Sequence, residues 1–199
     1  KLKLKNIYRH HLSEIEIGDY CKEITKLINK FNKKKNKKKK IISEKTSVVI
    51  CYGDSILSNK PKNLLGTFRN FFQKKLKNLF NTVHFLPFYP SSSDSGFAVK
   101  DHYKIDNKLG NWSDILKFSK KNDVMADIVI NHSSARGLWF KNFLKGKKPG
   151  KDYFLKVNSN FNVSKVIRPR DHQLLKKINI FKKPKYLWRT FSPDQLDLN

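Results

Sequence analysis

The sequence predicts an α/β fold built on a parallel β-sheet. Three short runs rich in apolar and β-branched residues, at 47–52, 82–88 and 123–130, have the composition of strands. Between them, segments 61–80 and 112–120 carry apolar residues at helical spacing. Strands that alternate with helices are joined by right-handed crossovers and run parallel, so we expect a doubly wound sheet or a barrel.

The N-terminal part predicts one amphipathic helix over residues 12–31. Ser13 and Glu16 form a capping box, which marks a helix start. Apolar residues then recur at helical spacing: Ile17, Tyr20, Cys21, Ile24, Leu27, Ile28 and Phe31. Residues 33–40 contain seven lysines, a like-charge block typical of a solvated linker, with a tether to RNA or a membrane surface as the alternative.

The remaining elements follow in order. The first strand ends at Gly53-Asp54, and the second is closed by Tyr89-Pro90 and a serine-rich loop. The third strand, 123–130, is apolar enough to predict burial. From Ser133 onward the alternation is lost, which predicts an excursion domain. The expected domains are 1–45, 46–132 and 133–199.

The charge of this 199-residue chain is +27, and nucleic-acid binding is its first interpretation. By segment, however, residues 82–140 carry only +1, against +10 for 1–48, +5 for 49–81 and +11 for 141–199. Of the basic residues 37 are Lys and six are Arg, whereas groove reading and phosphate clamping favour Arg. We therefore attribute the charge mainly to compositional drift in an AT-rich genome and expect only nonspecific contact with nucleic acid.

Composition also limits the cellular setting. No apolar run approaches the roughly 20 residues of a membrane-spanning helix, so no membrane partner is expected. The two cysteines lie far apart without metal-ligand spacing, which favours a reducing compartment. With no signal-peptide pattern, the expected location is the cytoplasm.

Polar residues follow each predicted strand. Asp54 follows the first, Asp94 the second and Asn131-His132 the third. Because the carboxyl ends of parallel strands share one rim, these groups are expected to converge, and they suit a polyhydroxylated ligand. Local Asx turns are the competing interpretation. His132 lacks the partners of a zinc site, and no GxGxxG, Walker or GxSxG sequence is present.

Three ordered motifs carry a family resemblance. Residues 86–97 and 101–112, with Asp94-Ser95-Gly96-Phe97 among them, resemble the second strand and following loop of the α-amylase superfamily, glycoside hydrolase family 13. Residues 127–134, with their Asn-His pair, resemble its first conserved region, and residues 195–199 are similar to its QxDLN segment. The short 94–97 loop, residues 168–170 and residues 190–195 resemble the sucrose phosphorylase group, most closely its glucosylglycerate phosphorylase branch.

The resemblance implies a partial TIM (β/α)8 barrel: an N-terminal helix, the first three strands and an inserted domain B at 133–199. It implies that Asp94 and His132 bind hydroxyls of a glucosyl unit. Phe97 and Phe191 would be aromatic walls of that subsite. Arg170 and Gln195 would face the acceptor side, while Asp127 and Asn131 would hold the strand end and loops together.

The implied activity is reversible phosphorolysis of sucrose or glucosylglycerate to glucose 1-phosphate by retaining double displacement. Inorganic phosphate would be the co-substrate, with no cofactor and no metal. The nucleophile and the acid/base of the family are expected beyond residue 199. The chain alone is therefore expected to be inactive: a truncated or decayed piece, or one completed by a second chain or a downstream reading frame.

Three other functions stay open. An α-amylase-type hydrolase or transglucosylase differs only in what attacks the intermediate. A basic nucleic-acid-binding or ribosome-associated protein would use the lysine block, and a noncatalytic remnant would only hold sugar. In each case three strands of a barrel leave an unpaired sheet edge, so we expect the isolated chain to aggregate or to unfold in part.

Overall fold

The computed structural model describes residues 2–32, 42–57, 59, 63–167, 170–180 and 183–199. These belong to two compact units, which divide after Ser43. The lysine block at 33–40 lies outside the described residues. That residues 1–45, 46–132 and 133–199 are separate domains stays a prediction.

The first unit contains α1 (Leu2–Tyr8), which no pattern in the sequence indicated, and α2 (Glu14–Asn32). The predicted capping box is present: the Ser13 backbone N–H donates to Glu16 Oε2 at 2.8 Å, and the Glu16 N–H donates to Ser13 Oγ at 3.3 Å. The hydrogen bonds from Ser13 lower the pKa of Glu16. Ile17 is buried, while most of the apolar face of α2 is exposed: Tyr20, Ile24, Leu27, Ile28 and Phe31.

The second unit begins with the predicted parallel sheet. Its strands are β1 (Val48–Cys51), β2 (Thr82–Phe85) and β3 (Asp123–Ala126), in that spatial order, with Ile50, His84 and Met125 in register. This confirms the α/β fold class with a parallel sheet.

Two helices connect these strands. α3 (Leu64–Phe71) continues into one π-helical turn, Phe72–Leu76, so the predicted 61–80 helix is shorter and changes its winding. α4 (Trp112–Ser119) begins at a capping box in which Asn111 Oδ1 accepts from the Ser113 N–H at 2.9 Å and Asp114 Oδ2 accepts from the Asn111 N–H at 3.0 Å. Since caps satisfy the free N–H groups of a first turn, this one fixes where α4 begins.

Both helices cover one face of the sheet. The buried cluster there comprises Leu65, Phe68, Phe72, Val83, Phe85, Phe88, Ile105, Ile115 and Phe118. Several of its ring pairs meet edge to face, with centroids 5.2 Å apart for Phe68 and Phe85 and for Phe72 and Phe118. Aromatic packing of this kind shields one face of the sheet from water.

The opposite face is open in the part of the chain that the structure describes. Ile50 of β1 is 62% exposed, and Ile128, just after β3, is 78% exposed. The prediction of a buried strand over 123–130 is therefore wrong, because β3 ends at Ala126. β3 is the outer strand of this sheet and pairs only with β2 among the described strands, so residues 127–130 have no ladder to join.

Residues 132–199 contain more regular structure than their sequence pattern indicates. They form β4 (His132–Ser134), α5 (Leu138–Leu144), β5 (Lys156–Val157), β6 (Leu175–Ile180), β7 (Lys183–Trp188) and β8 (Gln195–Asp197). β4 pairs with β8, and β5, β7 and β6 form a second, antiparallel sheet. A second buried cluster holds this part together: Phe140, Phe143, Phe154, Leu187 and Leu196.

Among the described residues, none of the helices has the length and apolar character needed to cross a membrane.

Candidate functional site

A tight turn after β2 presents Asp94. Asp94, Ser95 and Gly96 are three consecutive residues with positive φ, at 57°, 48° and 100°. A Cβ on Gly96 would lie 2.5 Å from the carbonyl oxygen of Pro87, so only glycine fits there. The turn is closed by the Phe97 N–H, which donates to the Asp94 carbonyl at 2.9 Å. This backbone leaves the Asp94 side chain exposed at the loop tip.

The β4–β8 pair supplies the other side chains. His132 lies opposite Asp197, and Ser134 lies opposite Gln195. Because alternate residues of a strand share a face, His132 and Gln195 are diagonal neighbours on one polar face of this two-stranded ladder. Two short segments far apart in sequence are thereby brought together.

Asp94, His132 and Gln195 meet at this face. Gln195 Nε2 donates to Asp94 Oδ2 at 2.8 Å and lies 3.0 Å from His132 Nε2. That imidazole nitrogen is also 3.2 Å from the Phe97 carbonyl oxygen. Gln195 is fully buried and His132 is 5% exposed. The Gln195 amide therefore bridges an exposed carboxylate and a buried imidazole.

Burial lowers the pKa of His132. The Phe97 carbonyl, Asp197 and Asp94 oppose this shift without cancelling it. A neutral imidazole has one nitrogen that accepts and one that donates, and both functions suit a hydroxyl. Two buried atoms of the cluster, His132 Nδ1 and Gln195 Oε1, have no hydrogen-bond partner among the residues that the structure describes. Buried polar atoms are normally paired, so this cluster has unused hydrogen-bonding capacity.

Phe191 flanks the cluster. Its ring lies 4.9 Å from the His132 ring, centroid to centroid, whereas the half-buried Phe97 contacts His132 through its carbonyl oxygen. Asp197 holds the chain just before Phe191, since its carboxylate accepts from the Thr190 N–H at 2.9 Å and from Thr190 Oγ1 at 2.5 Å. The Phe191 ring therefore offers apolar surface beside the polar groups.

Arg170 is not brought to this cluster. It is exposed, and within the described ranges no hydrogen bond or ion pair joins it to Asp94, His132 or Gln195. Arg168 and Pro169 lie outside the described residues. Gln195, expected on the acceptor side, contacts the two residues expected at the glucosyl subsite.

Asp54 makes no hydrogen bond to Asp94, His132 or Gln195 among the described contacts. It lines an open cleft of about 380 Å³ together with Tyr52, Tyr89, Ser95 and Asp106. Among the described residues, hydrogen bonds through Gln195 therefore bring Asp94 and His132 together, while Asp54 shares this cleft with Ser95 of the Asp94 turn.

Asp127 and Asn131 make structural contacts. Asp127 Oδ1 is 3.2 Å from Nε2 of His84 in β2, and the Asn131 carbonyl accepts from the Leu198 N–H at 2.9 Å. Among all the residues that the structure describes, no group of three or more His, Cys, Asp or Glu side chains could hold a metal ion.

Comparison with known proteins identifies relatives. Residues 72–199 match the family model of the alpha-amylase catalytic domain. A glucosylglycerate phosphorylase from Escherichia coli is 37% identical over 98% of this chain and 36% of its own length. One from Allomeiothermus silvanus is 42% identical over 79% of this chain and 28% of its own length.

A solved structure shows the same architecture. The sucrose 6F-phosphate phosphorylase from Thermoanaerobacter thermosaccharolyticum superposes with a TM-score of 0.66 at 29% identity, over 79% of this chain and 34% of that one. This chain thus spans about a third of the length of these relatives and supplies part of an alpha-amylase-type barrel. The described strands, the converging residues and the family match together place the chain in the alpha-amylase catalytic domain family, glycoside hydrolase family 13.

Proposed function

We propose that this chain forms the glucosyl-binding part of a phosphorylase that acts on an α-glucoside, either sucrose or glucosylglycerate, with inorganic phosphate as co-substrate. The relatives at 37% and 42% identity are glucosylglycerate phosphorylases, which supports the reaction class. The observation that carries the proposal is the cluster of Asp94, His132 and Gln195 beside Phe97 and Phe191.

The chemistry of the cluster fits a hexose. The Asp94 carboxylate is exposed and only accepts, so it suits two adjacent sugar hydroxyls as donors. The neutral His132 imidazole and the Gln195 amide each offer both donor and acceptor functions. The C–H face of a pyranose packs on aromatic rings such as those of Phe97 and Phe191.

In the proposed reaction a carboxylate attacks the anomeric carbon and the glycosidic C–O bond breaks, its oxygen leaving with a proton from an acid. A phosphate oxygen then displaces the carboxylate from the same carbon, which gives glucose 1-phosphate with net retention. The residues of this chain bind and orient the glucosyl unit in that scheme. The nucleophile and the acid are not assigned to any of its residues.

Glucoside binding by the 199-residue chain tests the proposal. Saturation-transfer NMR with sucrose and with glucosylglycerate is expected to show saturable binding. His132→Ala should weaken it at least about tenfold, since both a hydrogen-bonding ring and the contact to Phe191 are lost. His10→Ala, on an exposed histidine of the first unit, is the matched control and should have no effect. Equal binding by the two variants would contradict the proposal.

The inactivity of these 199 residues by themselves stays a prediction. Incubation with either glucoside and phosphate is expected to release no glucose 1-phosphate. Phosphate-dependent release that disappears in His132→Ala would overturn this expectation while strengthening the assignment of the site.

A further inference from the structure

We propose that Asp194 is a positioning residue, which sets the distance between the Asp94 carboxylate and the Gln195 amide and thereby pre-forms the site for its sugar. This inference rests on the proposed function. Neither the Ser91–Ser93 run nor Asp194 was singled out as functional by the sequence, because serines beside Asp94 are also typical of a turn.

Asp194 is bound to the loop that carries Asp94. Its Oδ2 accepts hydrogen bonds from Ser92 Oγ and from Ser93 Oγ, the latter at 3.0 Å. Its Oδ1 lies 3.6 Å from Arg136 Nε. The side chain of Asp194 is only 17% exposed, so these partners largely replace water around its charge.

The Ser93–Asp194 hydrogen bond affects the site because each of its residues is next in sequence to a residue of the cluster. Ser93 precedes Asp94, and Asp194 precedes Gln195. Ser93 bonds to Asp194 at 3.0 Å while Asp94 bonds to Gln195 at 2.8 Å. Two side-by-side cross-links between the same two segments remove rotation that a single hydrogen bond would leave free. The Asp94–Gln195 distance is therefore set by both bonds.

The same carboxylate is tied to the strand that carries His132. Ser92 Oγ lies 2.5 Å from Ser134 Oγ, and Ser134, in β4, is fully buried. The Asp194 carbonyl also accepts from the Ala135 N–H at 2.8 Å. Asp194 thus connects the three segments that supply Asp94, His132 and Gln195.

A carboxylate is well suited to this place. It accepts from several donors at once and donates none, so one side chain can accept from both serine hydroxyls while Arg136 lies at ion-pair distance. Asparagine at this position would keep one acceptor oxygen and add an N–H₂ group facing the serine donors. Alanine would leave Ser92 and Ser93 without this acceptor.

The first test reads the geometry directly from His132. The imidazole ¹⁵N signals of His132, assigned by their loss in His132→Gln, are compared in wild type, Asp194→Ala, Ser93→Ala and the double variant. We expect Asp194→Ala to shift the Nε2 signal, Ser93→Ala to shift it less, and the double variant to match Asp194→Ala. Asp152→Ala removes the same charge from an exposed site and should leave the signal unchanged.

The second test measures affinity for glucosylglycerate and for sucrose. The dissociation constant is expected to rise about tenfold in Asp194→Ala, about threefold in Ser93→Ala and not at all in Asp152→Ala. If Asp194→Ala does not fold, Asp194→Asn is expected to show both effects at intermediate size, because one acceptor oxygen remains.

The two measurements separate this inference from the proposed function. If wild type binds neither glucoside, the proposed function fails, and the imidazole signals still decide whether Asp194 positions the cluster. If the His132 signals and the affinity are unchanged in Asp194→Ala, or if Asp152→Ala has the same effect, the inference is overturned. A lower unfolding temperature with unchanged His132 signals would mark Asp194 as merely structural and would also overturn it.

Discussion

The two faces of the parallel sheet differ in how far the described residues cover them. On one face α3 and α4 enclose a dry, mostly aromatic cluster in which Phe72 is fully buried. On the other face Ile50 remains in contact with water, as does Ile128 just after β3. The cluster of Asp94, His132 and Gln195 is also fully built from described residues, because hydrogen bonds there join segments about a hundred residues apart. The contacts that shape the site therefore do not depend on the open face.

Substitutions on the two faces should differ most in stability. Phe72→Ala removes a fully buried ring and is expected to cost about 3–5 kcal/mol of unfolding free energy. Ile50→Ala, on the open face, should cost less than about 0.5 kcal/mol. Urea unfolding followed by tryptophan fluorescence at low protein concentration measures both. Similar costs at the two positions would show that the open face is covered in solution.

Loss of the Gln195 side-chain amide, which bridges Asp94 and His132, should lower both stability and glucoside binding. Gln195→Ala leaves Asp94 Oδ2 and His132 Nε2 without a common partner and opens a cavity in a fully buried position. We expect destabilisation of about 1–3 kcal/mol, with a loss of glucoside binding. Gln173→Ala, a substitution of the same type at an exposed glutamine, is the control. Equal effects of the two substitutions would argue against a bridging role.

A pH series tests whether His132 is buried as a neutral ring. Its pKa is lowered in the folded chain, mainly by burial. As the pH falls below the ordinary histidine pKa of about 6.5, the unfolded chain binds a proton that folded His132 does not, so stability should decrease. Thermal unfolding between pH 8 and pH 5 should therefore show a downward trend whose slope is smaller in His132→Gln. A slope unchanged by that substitution would place the ring in contact with water.

The smallest expected effect on stability belongs to the open face. Ile50→Lys and Ile128→Lys should each change the unfolding free energy by less than about 0.5 kcal/mol, because both side chains are already solvated. They should nevertheless reduce self-association in sedimentation experiments, because exposed apolar surface drives it. Wild type that is monomeric with a sharp cooperative transition would contradict the expected aggregation.

The parallel sheet can be predicted from the sequence because each of its strands is marked by the composition of its own segment. β1 and β2 are short β-branched or aromatic runs, and the Ser13–Glu16 capping box marks the start of α2. The β4–β8 ladder is not predicted, since each strand has three residues and its partner lies about sixty positions away. The pairing of β6 with β7 is hidden because lysines interrupt the apolar pattern of both strands, with Lys176 opposite Leu187 and Lys185 opposite Ile178.

For the site, the resemblance supplied the residue types but not their arrangement. Gln195 contacts both Asp94 and His132, and no contact of Arg170 with either is found among the described residues. The role of these residues in substrate binding stays a prediction. The Ser93–Asp194 contact depends on two side chains 101 positions apart, and no spacing rule detects such a pair.

The central claim is that the cluster of Asp94, His132 and Gln195 binds a glucosyl unit. Titration of the chain with glucose tests this claim most directly. The measurement is the ¹⁵N shift of the His132 imidazole, recorded in wild type and in Asp94→Ala, with fructose as the comparison sugar. We predict a saturable shift with glucose that is lost in Asp94→Ala and much smaller with fructose. No shift with glucose, or an equal shift in Asp94→Ala, would contradict the claim.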